Sequence, residues 1–392
     1  MKKATAMMSK KTSLLSVLAF VLSKRKEIPV VCVFAPMFTK ENERDGYIQR
    51  IKAIDDAILA ASLRIYLSGD LPAGSHPEMQ WADDAHLELR FNSRSCFQLQ
   101  CVFMLVRLCK TVYCHSLLRF MPNSVNERLL NIFRFRHITT VWDVHGAVPE
   151  ECSLTSDEGN RMLAESVEQT LWEKASVIVT VSEAMEKHLR DKHGDTRATL
   201  IVLPIFPPSL LTAMPPAQCD AKQELTIYAG GLQAWQNIAL MQETIAVTSE
   251  WMHYTILVPD ASAWNNTQLD CAAPEHLEIT TLPPEKIHEV YAKARYGFIL
   301  RDDSPINRVA CPTKLVEYIA YGIIPIMKSP MIGDFVQYGL RYVSVENLQA
   351  GCMPSKTEID FMRINNRQIV QRMKELSNSN IEQLKRILFQ SK

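Results

Sequence analysis

The chain has 392 residues, of which 47% are hydrophobic and 22% are charged. A single hydrophobic core stops growing at roughly 250–300 residues, so the length predicts two domains and excludes one small module. Lys plus Arg and Asp plus Glu each number 43, which excludes a global charge that would attract nucleic acid. The ten cysteines lack the close Cys-x2-Cys pairs of zinc sites, and we expect buried, reduced thiols.

The N-terminal leader, residues 1–27, is basic and partly apolar. Seven Lys or Arg residues and no acidic residue occur in positions 1–26, around the apolar run LLSVLAFVL at 14–22. A helix of this length extends only ~14–18 Å against a hydrocarbon core of ~30 Å, so it is too short to span a bilayer. The residues SKRKEIP follow where a signal peptide would have a small-residue cleavage site, which argues against export. We expect this segment to lie on a membrane surface; the alternatives are a disordered leader and a helix packed against the body of the protein.

Residues 28–207 alternate strand-like apolar runs with helical patterns. The series begins with IPVVCVF at 28–34, a helix near 46–61 and RIYL at 64–67. Continuous β-branched strands of this kind predict a parallel sheet covered by helices on both faces. The further predicted strands are HLELRF (near 86), TVYCH (near 111), ITTVWDV (near 138), SVIVTV (176–181) and TLIVLP (199–204), with helices near 96–109, 157–173 and 183–192.

A proline-rich linker, residues 208–222, separates this domain from a second alternating series at 223–355. Proline fixes the backbone and removes an N–H donor, so prolines clustered between 204 and 216 prevent regular strand pairing. The sequence therefore predicts an α/β protein with two Rossmann-like domains, followed by C-terminal helices in 356–392 near 358–376 and 378–389. The second series has strands at 225–231, 254–259, 277–282, 296–300 and 323–327, with helices near 236–249, 284–294 and 312–321.

The loop and helix at 301–326 carry the densest set of polar groups. Ligands of open parallel sheets bind outside the carboxyl ends of the strands, where this segment begins. Pro312 suits the first turn of a helix, which places Thr313 and Lys314 at a helix N-terminus, a site that can hold a phosphate without a metal. Glu317 lies on the same helix face and could accept hydrogen bonds from a ribose diol. The alternative is an ordinary surface pair of Lys314 with Glu317.

Three other loops carry candidate ligand groups. In VWDVHGAVPEE (141–151), His145 could contact a sugar hydroxyl or act as a base, with Asp143 orienting the loop; the alternative is a buried histidine with satisfied hydrogen bonds. Ser182 in TVSEAM is interpreted as a helix N-cap. The loop YAGGLQAWQN (228–237) has adjacent glycines, Gly230 and Gly231, rather than a dinucleotide fingerprint, and a tryptophan that stacks on a base or fills the core.

Motifs of several other enzyme classes are absent from the sequence. There is no Walker A motif, no nucleophile elbow and no His-Glu-x-x-His. Asp302 and Asp303 are adjacent, so they do not form the Asp-x-Asp of metal-dependent sugar transferases. We therefore expect no metal and no cofactor.

Taken together, these segments resemble the family 4-like glycosyltransferases of the GT-B fold. The resemblance covers about 28–345, and it is carried by VWDVHGAVPEE, LWEKASVIVTVSEAMEKHL, LTIYAGGLQAWQNI and LRDDSPINRVACPTKLVEYIAYGIIPI. It implies two Rossmann-like domains facing each other across a cleft, with the acceptor on the first and the donor on the second. It also implies metal-independent transfer with retention from a nucleotide sugar to a saccharide or lipid-linked saccharide. The bacterial relatives build cell-surface polysaccharides such as lipopolysaccharide and capsule.

The resemblance implies roles for particular residues of this chain. Lys314 is similar to the ligand of the donor diphosphate, Glu317 to the ribose ligand and His145 to the histidine near the donor sugar. Val309 stands where the family often has a glutamate, a place that Asn307 or Asp303 would fill. The predicted catalytic residues are His145, Lys314 and Asp143; the predicted donor-binding residues are Glu317, Thr313, Gly230, Gly231, Arg301, Asn307, Arg308, Ser182 and Trp235.

Two alternative functions and a location accompany this prediction. A nucleotide-sugar epimerase of the same fold would need acid and base carboxylates around the sugar, and a catalytically silent GT-B scaffold would need none. We expect a cytoplasmic protein, peripheral on the inner face of the cytoplasmic membrane, with no nucleic-acid partner. The apolar and basic stretch at 101–120 is predicted as a second membrane contact beside the leader.

Overall fold

The chain divides into two units in the computed structural model, which describes residues 14–24, 26–42, 45–117, 123–154, 158–207, 210, 214–215, 224–265 and 276–389. The first unit comprises Met1–Leu203 and Ser377–Lys392, and the second unit comprises Pro204–Leu376. The division after Leu203 falls just before the predicted linker at 208–222, most of which lies outside the described residues.

The first unit is built on an eight-stranded sheet. Its strands are β1 (Val30–Phe34), β2 (Leu63–Ser68), β3 (Glu78–Trp81), β4 (His86–Arg90), β5 (Thr111–His115), β6 (Thr139–Val144), β7 (Val177–Thr180) and β8 (Thr199–Val202). They lie in the order β3-β4-β2-β1-β5-β6-β7-β8, and only β3 is antiparallel to its neighbour. Every residue of β1, β2 and β5 is buried, as expected for strands covered on both faces.

The helices of the first unit connect these strands. They are α1 (Leu14–Lys24), α2 (Gly46–Ile54), a π-helix (Asp55–Leu59), α3 (Cys96–Val106), α4 (Asn123–Phe135), α5 (Val148–Leu154), α6 (Glu158–Lys174) and α7 (Glu183–His193). Ile48, Ile51 and Ile54 of α2 face the sheet and join one hydrophobic core with β1, β5 and β6. The helical spacing of these isoleucines is what indicated the helix in the sequence.

The described part of the leader packs against the first unit. Val21 of α1 is fully buried, and the Phe20 ring lies edge-on to Trp81 of β3 at 4.8 Å between ring centroids. This contact supports the alternative in which the leader helix packs on the body. Within the described residues, no helix is long and apolar enough to cross a membrane.

The second membrane contact predicted at 101–120 is wrong for its central part. Residues Thr111–His115 form β5, whose side chains are buried inside the sheet. A strand buried on both faces cannot present its apolar side chains to a lipid surface. Residues 118–120 lie outside the described residues.

The second unit has a six-stranded sheet in which all neighbours are parallel. Its strands are β9 (Leu225–Ala229), β10 (His253–Leu257), β11 (Leu277–Thr280), β12 (Tyr296–Ile299), β13 (Ile324–Met327) and β14 (Val343–Ser344), and their order is β11-β10-β9-β12-β13-β14. Its helices are α8 (Ile238–Thr248), α9 (Ala261–Asn265), α10 (Pro284–Lys293), α11 (Pro305–Arg308), α12 (Thr313–Ala320) and α13 (Val345–Gln349), with a 3-10 turn at Ala234–Gln236. This strand order is that of the Rossmann fold, and the predicted α/β class with two Rossmann-like domains is confirmed.

The C-terminal helices predicted at 358–376 and 378–389 are one continuous helix, α14 (Lys356–Phe389), 34 residues long. The residues SNSN at 377–380, where the two predicted helices meet, include neither Gly nor Pro. Ser377 is buried, and Asn380 Nδ2 donates to the carbonyl oxygen of Val202 at 2.6 Å, which holds the helix to β8. Leu384 and Leu388 then complete the core of the first unit.

A glycine of β12 allows α12 to approach the second sheet closely. A Cβ built on Gly297 would lie 2.5 Å from Cε2 and 2.6 Å from Cδ2 of the Tyr318 ring. The Tyr318 hydroxyl in turn accepts a hydrogen bond from the backbone N–H of Ala229 at 3.1 Å. This contact fixes α12 beside the end of β9.

We expect Gly297→Ala to destabilise the protein by ~1–3 kcal/mol, the cost of overpacking a tight core. Thermal or urea unfolding measures the change. Because the clash is with the Tyr318 ring, the same substitution in a Tyr318→Ala background should cost much less. An equal cost in both backgrounds would contradict the close approach.

Candidate functional site

The second unit has its candidate site where the strand order reverses, between β9 and β12. The chain proceeds from β9 to β10 on one side, whereas β12 lies on the other side of β9. The loops that leave the two strands therefore diverge and open a crevice at the carboxyl edge of the sheet. Gly230 directly follows β9, and Arg301 follows the end of β12.

The side chain of Lys314 lies at this edge of the sheet. Its Nζ is 3.8 Å from the centroid of the Tyr228 ring and 3.5 Å from Oε1 of Gln236. A Cβ on Gly230 would overlap Lys314 Nζ and would lie 2.9 Å from its Cε. The glycine after β9 leaves the space that the end of the lysine side chain occupies over the tyrosine ring, where a cation is attracted by the π-electrons.

No carboxylate is within ion-pair distance of Lys314 among the residues that the structure describes. Burial, together with the nearby charge of Arg301, lowers the pKa of Lys314 well below its ordinary value. The surface pair of Lys314 with Glu317, the alternative considered from the sequence, is therefore not formed. An anion bound beside this ammonium would add the charge partner that the Tyr228 ring and the Gln236 amide do not supply.

The start of α12 adds donors to the same place. The helix begins at Thr313, and its N-cap is Pro312, which provides no side-chain cap. The first N–H groups of a helix have no acceptor within the helix, and they carry its partial positive charge. Lys314 and this helix end lie together as the sequence predicted, and their binding of an anion stays a prediction.

Glu317 lies one turn further along α12 in a different environment. It accepts a hydrogen bond at 3.2 Å from the hydroxyl of Tyr291 on α10. Burial raises the pKa of Glu317 to about 7, against the opposing effects of the Tyr291 hydrogen bond and the Lys314 charge. Its carboxyl group therefore changes protonation near neutral pH, and in the ionised form it would accept hydrogen bonds from a diol.

Arg301 and Asn307 are joined to each other rather than separately exposed. Arg301 Nη1 donates to Oδ1 of Asn307 at 3.2 Å, and Asn307 Nδ2 donates to the carbonyl oxygen of Asp302 at 2.9 Å. Asn307 is buried, so its described contacts orient Arg301 and the loop after β12. Val309 is also buried at the end of α11, so the position that the family often gives to a glutamate faces the interior.

Three other predicted donor-binding residues of this unit are exposed or contact neighbouring residues. Arg308 is exposed and pairs with Asp303, with Nε 2.6 Å from Oδ1. Trp235 is 48% exposed on the 3-10 turn, so it does not fill the core. The carbonyl oxygen of Gly231 accepts a hydrogen bond from the hydroxyl of Tyr228.

The first unit brings His145 and Asp143 together at the carboxyl ends of β5 and β6. Asp143 is fully buried, and its carboxylate pairs with Arg50 of α2, with Nη2 3.0 Å from Oδ1. The hydroxyl of Tyr113 donates to Asp143 Oδ2 at 3.1 Å. Although burial opposes ionisation, Arg50 and the neighbouring histidines hold the pKa of Asp143 well below its ordinary value. Asp143 is thus a buried, permanently charged group that organises its neighbours.

His145 contacts a second histidine that the sequence did not single out. His115, the last residue of β5, places its Nδ1 3.0 Å from Nε2 of His145. The ring of Tyr47 packs on His145 with 5.0 Å between centroids, and its hydroxyl donates to the carbonyl oxygen of His115. His115 could have been noticed as a polar residue at the end of a buried strand.

These histidines and Asp143 also have a spacing that suits a metal ion, because one ligand atom of each lies within 4.8 Å of the others. However, Oδ2 of Asp143, the oxygen nearest both rings, already accepts from Arg50 Nε at 3.2 Å and from the Tyr113 hydroxyl. The guanidinium also neutralises the carboxylate and would repel a cation. The donor set therefore fits a hydrogen-bonded network better than a metal site.

Ser182 is the N-cap of α7, as the sequence indicated. Its hydroxyl oxygen accepts a hydrogen bond from the backbone N–H of Met185 at 2.9 Å, and the residue is buried. The residues that sequence reasoning missed are Arg50, Tyr113, His115, Tyr228, Gln236 and Tyr291. Tyr228 and Gln236 lie in the loop YAGGLQAWQN, and Tyr113 and His115 lie in the strand TVYCH. Their roles were missed because each contributes through a partner distant in the chain.

Solved structures share the fold of this chain, whereas no family model and no curated protein matches its sequence. A UDP-forming α,α-trehalose-phosphate synthase from Burkholderia vietnamiensis is 10% identical over 93% of this chain and 98% of that chain, with a TM-score of 0.58. WaaG, a glycosyltransferase involved in lipopolysaccharide biosynthesis, is 10% identical over 93% of this chain and 100% of that chain, with a TM-score of 0.56. The fold of the chain is GT-B. A trehalose-6-phosphate structure from E. coli, bound with UDP-2-fluoro glucose, is 12% identical over 91% of this chain and 99% of that chain, with a TM-score of 0.55.

We expect the wild-type protein to lose stability relative to Glu317→Gln as the pH rises from about 5 through about 7. The ordinary pKa of this carboxyl group is 4.5 and the folded protein raises it to about 7. Between these values the folded state binds more protons than the unfolded state, so raising the pH favours unfolding. Unfolding midpoints at several pH values measure the difference. Glu382→Gln, which alters an exposed carboxylate on α14, serves as the control and should follow the wild-type curve. Parallel curves for wild type and Glu317→Gln would contradict the raised pKa.

Proposed function

We propose that the chain is a glycosyltransferase that uses a nucleotide sugar as donor. The observation that carries this proposal is Lys314, an ammonium without a carboxylate partner, held over Tyr228 beside the open N-terminus of α12. The site lies at the switch point of a Rossmann-like unit in a GT-B fold. A diphosphate would supply the negative charge and the hydrogen-bond acceptors that Lys314 and the N–H groups of this helix end lack.

The proposed chemistry is transfer with retention of configuration. The bond between the anomeric carbon and the donor phosphate breaks, and the acceptor oxygen forms the new bond on the same face of the sugar. The departing phosphate takes the proton of the acceptor hydroxyl. Lys314, the N-terminus of α12 and Arg301 neutralise the charge that develops on the leaving group, and each such donor typically contributes ~2.7–4 kcal/mol. These groups are part of the chain, so we propose that the reaction needs neither metal nor cofactor.

The rest of the donor has candidate partners in the same unit. We assign the ribose to Glu317, whose ionised carboxylate would accept hydrogen bonds from both hydroxyls. Thr313 stands beside Lys314 at the start of the helix, and the exposed ring of Trp235 offers a surface on which a base can stack. In the first unit, we assign a contact with a sugar to His145.

We further propose that the acceptor is a saccharide or a lipid-linked saccharide of a bacterial cell-surface polysaccharide. The support comes from the resemblance of the motifs at 301–326 and from the likeness of the fold to WaaG, which is involved in lipopolysaccharide biosynthesis. The same fold occurs in a trehalose-phosphate synthase, so a sugar phosphate is the competing acceptor. Although α1 packs on the first unit, the basic residues of the leader would be attracted to an anionic surface, and we place the protein on the inner face of the cytoplasmic membrane on that ground alone.

The two alternative functions make different demands on this site. An epimerase needs acid and base carboxylates around the sugar, and the buried Val309 supplies none where the family often has one. A silent scaffold has no requirement for an unpaired lysine in a crevice. Both alternatives are outcomes of the experiment below.

We expect the purified protein to hydrolyse slowly, and to transfer rapidly, the sugar of one member of a nucleotide-sugar panel. The acceptors are a saccharide, a sugar phosphate and a lipid-linked saccharide in anionic vesicles, with and without a chelator. Lys314→Ala should lower the turnover number at least tenfold while changing the Michaelis constant less, because the charge interaction strengthens in the transition state.

Lys385→Ala, which removes an exposed ammonium of α14, is the matched control and should leave turnover unchanged. Interconversion of nucleotide sugars without transfer would favour the epimerase, and no reaction with any donor would favour the scaffold. Turnover lost in chelator and restored by Mg²⁺ would refute metal independence. Failure of the protein to sediment with the vesicles would refute the membrane location.

A further inference from the structure

Asn237 lies between the two loops that open the crevice of the second unit. It is the N-cap residue of α8, at the end of the loop that follows β9. Its side chain reaches the loop after β12, where Nδ2 donates to the carbonyl oxygen of Leu300 at 2.6 Å and to Oδ2 of Asp302 at 3.0 Å. A carbonyl and a carboxylate are acceptors, so the nitrogen of the amide, and not its oxygen, faces them. One side chain therefore joins the two walls of the crevice.

This side chain does not act as an N-cap asparagine usually does. An asparagine in that position normally accepts a hydrogen bond from an N–H of the first helical turn, whereas the side chain of Asn237 makes no cap hydrogen bond to α8. The helix begins through the backbone, since the N–H of Met241 donates to the carbonyl oxygen of Asn237 at 3.1 Å. A capping role therefore does not explain where the amide points.

The backbone of Asn237 brings its side chain to this place. Its φ and ψ angles are 53° and 52°, in the left-handed region that asparagine tolerates better than most residues other than glycine. This residue ends the 3-10 turn, because its N–H donates to the carbonyl oxygen of Ala234 at 3.1 Å. Gln236, directly before it, places Oε1 3.5 Å from Nζ of Lys314. The turn that ends at Asn237 thus contacts the lysine of the candidate site.

The loop after β12 is itself held in place where Asn237 contacts it. The Asp302 carboxylate pairs with Lys328, which directly follows β13. Its carbonyl oxygen accepts from Asn307, the buried residue to which Arg301 donates. The hydrogen bonds of Asn237 therefore connect the turn beside Lys314 to the loop that carries Arg301. These are the two cations that the proposed chemistry uses to neutralise the leaving group.

We propose that Asn237 is a positioning residue that ties the loop after β9 to the loop after β12, and so holds Lys314 and Arg301 in the arrangement that binds a diphosphate. That the ligand is a diphosphate rests on the proposed function; the tie between the loops rests on the two hydrogen bonds. Loops that diverge from neighbouring strands have no ladder of backbone hydrogen bonds between them. Without the tie, the ligand would have to order them, and that cost would weaken binding.

Two substitutions separate the tie from the shape of the turn. Asn237→Gly allows the left-handed backbone but removes both hydrogen bonds. Asn237→Asp keeps the size and the capping ability of the side chain, but its oxygens would be repelled by the Leu300 carbonyl and the Asp302 carboxylate. If Asn237 were only a turn or cap residue, both variants would behave as the wild type. His137→Gly, which replaces an exposed left-handed residue of the first unit, is the matched control.

The first measurement is the hydrogen exchange of the protein without ligand, followed in peptides that cover 230–237 and 300–308. We expect both peptides to exchange faster than the wild type in Asn237→Gly and in Asn237→Asp, and at the wild-type rate in His137→Gly. Wild-type exchange at 300–308 in both Asn237 variants would overturn the proposal. This measurement needs neither ligand nor activity, so it is independent of the transfer assay.

The second measurement is the calorimetric affinity for UDP, GDP and inorganic pyrophosphate. We expect Asn237→Gly to bind the probe preferred by the wild type about tenfold more weakly, which is the value of about one hydrogen bond, and His137→Gly to bind it as the wild type does. Unchanged affinity in Asn237→Gly, even with a lower unfolding midpoint, would show that Asn237 is only a structural residue. A wild type that binds none of the three probes would contradict the diphosphate site and hence the proposed function.

Discussion

The candidate site depends on a lysine that the fold brings to the sheet edge without giving it a carboxylate. The glycine after β9 leaves the space in which the ammonium of Lys314 meets the face of Tyr228. The position of α12 comes from a second close approach, in which Tyr318 packs on Gly297 and accepts from the N–H of Ala229. Gly230 at the carboxyl edge and Gly297 within β12 therefore leave the space in which the charge and its helix lie.

The unfavourable burial of this lysine has a physical meaning. An ammonium that loses water without gaining a carboxylate lowers the stability of the free protein, and such strain is tolerated where a ligand relieves it. The neighbouring Glu317 shows the converse, because burial favours its neutral form until the pH reaches about 7. Lys314 and Glu317 therefore do not form an ion pair with each other, unlike oppositely charged residues on an ordinary helix surface.

Much of this architecture could be predicted from the sequence, because local patterns carry it. Apolar runs such as VVCVF at 30–34 predicted interior strands, and the spacing of the isoleucines of α2 predicted a helix. The turn of π-helix at Asp55–Leu59 could not be predicted. It accompanies an inward-facing Asp55 that accepts from Arg64, Tyr66 and His86, contacts that only the folded sheet provides. Likewise, the sequence predicted two helices that meet near 377, whereas α14 is continuous there, with Ser377 buried and Asn380 bonded to the carbonyl oxygen of Val202 in β8.

Some site residues could be predicted from local motifs, and others are brought together only by the fold. Lys314, Glu317 and His145 stand in local motifs at strand and helix ends, where the ligands of parallel sheets bind. Arg50 and Asp143 are 93 positions apart, and His115 and His145 are 30 apart, so neither pairing leaves a mark in a single sequence. The hydrogen-bond and ion-pair networks around these residues are consequently the part that required the structure.

The account is tested most directly by replacing Lys314 with methionine, which keeps the length of the side chain and removes its charge. Two quantities are measured on the same samples: the unfolding midpoint without ligand and the affinity for nucleoside diphosphates by calorimetry. We expect Lys314→Met to be at least as stable as the wild type, since a lysine buried without a carboxylate partner is replaced by an apolar side chain. We also expect its affinity for nucleoside diphosphates to be weaker by about tenfold to a hundredfold, the contribution of a charge-assisted hydrogen bond of ~1.5–3 kcal/mol. A clear loss of stability with unchanged affinity would show that Lys314 is a structural residue and would refute its role in binding a diphosphate.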